Sequence, residues 1–81
     1  MTVNYKIIGR QIRVQRRSQR MSQAFLVEQA ELSVSYISRV ERAKKQVSLD
    51  ALVRIANSLG TTVDSLLIGS QTHAHLAHTA R

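Results

Sequence analysis

Four hydroxyl side chains, Ser22, Ser33, Ser48 and Thr62, each stand directly before a run of apolar residues at helical spacing. A Ser or Thr in that place accepts a hydrogen bond from the otherwise unsatisfied N–H groups of a first helical turn. The 81-residue chain contains no proline to interrupt such runs. Its apolar positions recur at three and four rather than at two, so the pattern predicts an all-α fold.

Five helices follow. The first spans about Tyr5 to Gln19, with Asn4 as its cap. Ile8 and Ile12 share one face, while Arg10, Arg13 and Arg17 gather on the other. Arg16 falls at the edge of the apolar face, where a long cationic side chain needs a partner. The second helix starts after Ser22, with Leu26, Val27 and Ala30 inward. The third starts after Ser33, with Ile37 and Val40 inward. The fourth starts after Ser48 and places Asp50 in its first turn, where the dipole favours an anion. Leu49, Leu52, Ile55, Ala56 and Leu59 are its expected buried stripe, and Gly60 is its expected terminator. The fifth is short, with Thr62 as cap and Val63, Leu66 and Leu67 apolar. Residues 1–68 therefore read as one domain. Residues 69–81, with Leu76 their only large apolar residue, read as a C-terminal tail that is flexible or weakly helical.

Charge narrows the partner. Twelve Lys and Arg against five Asp and Glu give a formal net charge of +7, which on a small domain points to a polyanion. Only Tyr5, Phe25 and Tyr36 are aromatic, too few for a base-stacking platform on single strands. The absence of cysteine excludes disulfides and thiolate zinc sites. His73, His75 and His78 have no carboxylate or thiol nearby, so no metal site and no cofactor are expected. No histidine precedes the tail and there is no cysteine, so no enzyme is expected. A cytoplasmic, nucleoid-associated location is the default for a cysteine-free chain without a secretory signal or membrane span.

The second and third helices are joined by a tight link, Glu31–Ser33. That is the spacing of a helix-turn-helix, whose second helix enters the major groove. The start of the third helix then faces base edges with Ser33, Val34, Ser35, Tyr36, Ser38 and Arg39. Val34 suits a thymine methyl, and Arg39 suits a two-point contact to guanine. No acid lies three or four residues from Arg39 on its helix.

The stretches Met21-Ser22-Gln23…Leu26-Val27, Leu32-Ser33…Tyr36-Ile37-Ser38-Arg39-Val40-Glu41-Arg42 and Ser48-Leu49-Asp50-Ala51-Leu52…Ile55-Ala56…Leu59-Gly60 resemble the XRE (Cro/CI-like) helix-turn-helix regulators. The likeness runs from about Ile8 to Leu67. It implies a compact five-helix, lambda-repressor-like DNA-binding domain. It implies base contacts from Ser33, Val34, Ser35 and Arg39. It implies backbone contacts from Gln23, Arg42, Lys44 and Lys45, and a structural ion pair between Arg16 and Glu41. Tyr36 and Ser38 join the expected backbone set, Tyr36 having edge packing as its equal alternative. Three features depart from the family pattern. Glu31 stands where the turn usually has Gly, Ala43 and Val47 stand where Gly and Pro are common, and Phe25 replaces a polar residue.

The leading reading is a transcription regulator, acting as a repressor, that binds a near-palindromic double-stranded operator as a homodimer through helix five and the tail. An antitoxin-like protein that also binds a partner through the tail or Phe25 is the alternative. A basic amphipathic helix at a membrane surface is the third, but Ile8 and Ile12 are needed for the core. Arg10 and Arg13 are expected to form a solvated face, because the recognition helix lies elsewhere.

Overall fold

The computed structural model describes residues 3–68. It contains five helices: α1 (Tyr5–Ser18), α2 (Gln23–Ala30), α3 (Val34–Glu41), α4 (Leu49–Leu59) and α5 (Val63–Leu67). The expected tail, residues 69–81, lies outside the described residues.

Every helix begins on a side-chain cap. Asn4 accepts from the N–H groups of Lys6 and Ile7, Ser22 from Phe25, Ser33 from Tyr36, Ser48 from Ala51 and Thr62 from Ser65. Each such cap stabilises its helix by about 1 kcal/mol. In helices of five to fourteen residues, too short to persist alone in water, these starts help fix where folding places each element.

The four longer helices also end alike. Arg20, Glu31, Ala43 and Gly60 each take a left-handed conformation, with φ of 55, 58, 59 and 69°. The next residue then reaches back five positions. The N–H groups of Met21, Leu32, Lys44 and Thr61 donate to the carbonyls of Arg16, Val27, Arg39 and Ala56 at 2.8–3.0 Å. This is the Schellman closure, which satisfies the last carbonyls and turns the chain. Only one of the four uses glycine. The expected absence of glycine at Glu31 thus does not change the turn; it leaves the turn strained.

The core is one cluster. Ile8 and Ile12 of α1 meet Leu26 and Val27 of α2, Ile37 and Val40 of α3, Leu52, Ile55 and Leu59 of α4, and Leu66 of α5. Helix α1 packs on α3, α4 and α5, while α2 packs on α3 and α4. Two side chains tie α1 to the C-terminal half: Gln15 Nε2 donates to Ser65 Oγ at 3.0 Å and Gln19 Nε2 to the Leu59 carbonyl at 2.7 Å.

One expected core position is corrected. Leu49 is 73% exposed, and Ala51 takes its place in the buried stripe. Helical side chains tilt toward the N-terminus, so that of the first residue projects past the helix end instead of onto a neighbour. It stands on the rim of a cleft lined by Val3, Tyr5, Ile8, Val47, Leu52 and Leu67.

Candidate nucleic-acid interface

Helix α3 divides its faces by the helical period. Ile37, Val40 and Glu41 are buried. Ser35, Ser38, Arg39 and Arg42, at relative positions 0, 3, 4 and 7, form an opposing stripe. Val34 and Ser35 are exposed in the first turn, Val34 at 46%. Ser33 is exposed, and its Oγ accepts the Tyr36 N–H at 3.0 Å. Ser38 is half-buried, and Arg39 is exposed with no ion-pair partner among the described residues. With Val34 beside it, the stripe combines small hydroxyls, one branched apolar side chain and the uncommitted guanidinium of Arg39.

The loop after α3 adds cation density. Arg42 lies over its own helix end, its Nε donating to the Ser38 carbonyl at 3.3 Å. Lys44 and Lys45 are exposed. Tyr36 bridges the loop: its ring packs against the core and its Oη accepts the Ser48 N–H at 3.1 Å. The sequence left edge packing and backbone contact equal for Tyr36. The structure shows the packing, and the phenolic proton remains available to a further acceptor.

Beneath the stripe lies a buried polar knot. Arg16 Nε donates to Glu41 Oε2 at 2.8 Å and Arg16 Nη2 to Oε1 at 3.1 Å. Arg16 Nη1 donates to the Met21 carbonyl at 2.8 Å. Gln23 Nε2 adds a bond to Glu41 Oε1 at 3.1 Å. The two charged side chains are 9% and 1% exposed. A two-point guanidinium–carboxylate pair has fixed geometry, so it locks α1, the end of α3 and the start of α2 into one relative arrangement. No buried side-chain polar atom among the described residues lacks a partner.

Sequence reasoning gave Gly9 no role. A Cβ built there would collide with the carbonyl oxygens of Val40 and Glu41. Only glycine lets α1 lie this close to the recognition helix's last turn. An isolated glycine inside an otherwise amphipathic helix was the available signal. Phe25, by contrast, is 51% exposed, on the rim of an open hollow of about 430 Å³ with Gln19, Arg20, Met21 and Ser22.

A tight helix pair, a partly exposed second helix and a surrounding cation field are the arrangement of a helix-turn-helix domain. The chain belongs to the helix-turn-helix domain family, which it matches over residues 7–67, and is of the XRE, Cro/CI-like kind. It is 35% identical over 65 residues to an immunity repressor protein of Bacillus phage phi105, covering 80% of this chain. The chain spans 44% of that relative's length. Its fold is similar to the restriction-modification controller protein C.AhdI of Aeromonas hydrophila, with a TM-score of 0.75 and 29% identity over 76% of this chain and 94% of that one. It is also similar to the P22 c2 repressor protein, solved with a synthetic operator, with a TM-score of 0.72 and 28% identity over 78% and 96% of the two chains. The family and fold are those of DNA-binding regulators rather than of enzymes. No helix among the described residues is long and apolar enough to cross a membrane.

Proposed function

We propose that this chain is a sequence-specific transcriptional regulator, acting as a repressor, that binds a near-palindromic double-stranded operator as a homodimer. The observation that carries this reading is the outward stripe of α3, where Arg39 is exposed without an acid partner while the opposite face is locked into the core. Ser33, Val34, Ser35 and Arg39 read base edges in the major groove. Gln23, Tyr36, Ser38, Arg42, Lys44 and Lys45 hold phosphates and set the register. The Arg16–Glu41 pair keeps the two sets in fixed relation. Residues 1–68 form the DNA-binding domain and 69–81 a tail. The expected place of action is the cytoplasm, on the nucleoid.

Two-fold symmetry fits half-sites about one helical turn apart. Leu49 and Ile68, 73% and 65% exposed, give the α4–α5 side apolar surface for a second copy. In vitro selection of bound duplexes from a random pool tests the whole reading. A palindromic consensus is the expected result, and failure to enrich any sequence overturns it.

The hollow beside Phe25 favours a second reading, an antitoxin-like protein that binds DNA and also a partner protein there. Co-purification of a stoichiometric second chain, lost in Phe25→Ser, supports it. A lone homodimer with full operator affinity and no partner rejects it.

A further inference from the structure

We infer that Arg13 of α1 is a further DNA-backbone ligand that shares a phosphate with Gln23, an assignment that rests on the DNA-binding reading above. The sequence placed Arg13 with Arg10 on a solvated face. The structure separates the two. Arg13 Nε lies 3.9 Å from Glu41 Oε1, the same oxygen that accepts the amide of Gln23. Arg10 has no ion pair among the described residues.

That 3.9 Å separation is too long for a hydrogen bond. Glu41 does not need one. Arg16 already neutralises its charge through two bonds, and Gln23 supplies a third donor. Arg13 is therefore a surplus cation, 43% exposed, parked beside a carboxylate that is already paired. Its charge is left for another anion.

The geometry specifies which anion. The Arg13 and Gln23 nitrogens both lie near one oxygen, at 3.9 and 3.1 Å, so they are separated by no more than about 7 Å. Two hydrogen bonds of about 2.8 Å, made to different oxygens of one phosphate, span such a gap. Gln23 has a second amide proton to give while the first stays on Glu41, and the guanidinium has donors to spare. One phosphate then ties α1 and α2 together above the buried knot, and Glu41 orients both of its ligands from below. Arg10, one turn earlier and without an ion pair to Glu41, has no such role.

The test is the salt dependence of binding by the full chain, measured by fluorescence anisotropy on the selected duplex and on a random-sequence duplex. Arg13→Gln is expected to lower the log–log salt slope by about 0.9 on both. The wild-type advantage over this variant should therefore shrink about threefold between roughly 50 and 200 mM salt. Arg13→Lys, which keeps the charge, should keep the slope. An unchanged slope in Arg13→Gln, or an equal fall in Arg10→Gln, overturns the assignment. Lys45→Gln separates the two levels of the reading. If it lowers the slope while Arg13→Gln does not, only the Arg13 assignment fails. If the wild-type chain binds neither duplex, the DNA reading fails with it.

Discussion

Gly9 of α1 lies directly against the Val40 carbonyl of α3, at a separation that leaves no room for a Cβ. The contact is backbone to backbone, so no rotamer change relieves it. Gly9→Ala therefore sets two effects against each other. Alanine improves helix propensity by about 1 kcal/mol. Overpacking at a site that cannot yield costs about 1–3 kcal/mol. Because the neighbour is a rigid carbonyl rather than a side-chain tip, the steric term wins. The melting temperature should fall by several degrees, on a scale of about 4–8 °C per kcal/mol for a domain this size. A rise in melting temperature would show that α1 can slide away from α3 at no cost.

The Arg16–Glu41 pair makes the next prediction. Glu41→Ala leaves a guanidinium nine-tenths buried without its carboxylate. Such a loss costs about 3–5 kcal/mol, a large share of the stability of a small domain. Gln23 also loses its anchor, so DNA affinity should drop beyond what instability explains. Arg16→Met combined with Glu41→Leu should recover most of the stability, since an apolar pair of similar volume replaces two desolvated charges. Urea denaturation of both variants checks this. Equal instability of the single and double variants would mean that the pair's role is packing, not charge compensation.

The helix ends make a third. Glu31 and Ala43 hold left-handed conformations at φ 58 and 59°. Each costs about 1–2 kcal/mol in a residue with a Cβ. Glycine removes that strain but raises the entropy of the unfolded chain, which offsets about half of the gain. Glu31→Gly and Ala43→Gly should each raise stability by about 0.5–1 kcal/mol. Thermal melts decide, and a lowered melting temperature in both would show that neither turn is strained.

These cases mark what the sequence discloses. Helix starts were legible because each is written in one side chain, Asn4, Ser22, Ser33, Ser48 or Thr62, acting within three residues of itself. The end at Gly60 was legible for the same reason. The left-handed conformations at Arg20 and Ala43 were not, because neither residue type favours that region on its own. Leu49 satisfied the helical period but not the position, since periodicity records angle and not whether a neighbour reaches the first turn. In the site, the outward stripe of α3 followed from period alone. The role of Gly9 and the separation of Arg13 from Arg10 depend on how closely α1 and α3 approach. That distance is a property of the packed molecule.

Arg39 and Lys45 make opposite predictions about one binding isotherm. Arg39 stands on the outward stripe of α3 without an acid partner, whereas Lys45 lies in the loop beyond it. A base contact discriminates, and a phosphate contact does not. Arg39→Ala should weaken binding to the selected duplex by about 1–3 kcal/mol and relax preference at one base pair per half-site. Its effect on random DNA should be limited to the loss of one charge. Lys45→Ala should weaken both duplexes by the same factor and lower the salt slope by about one unit. Competition titrations of each variant against both duplexes, at two salt concentrations, separate the two behaviours. If Arg39→Ala lowered affinity for both duplexes equally, its guanidinium would belong with the phosphate set, and base reading would rest on Ser33, Val34 and Ser35 alone.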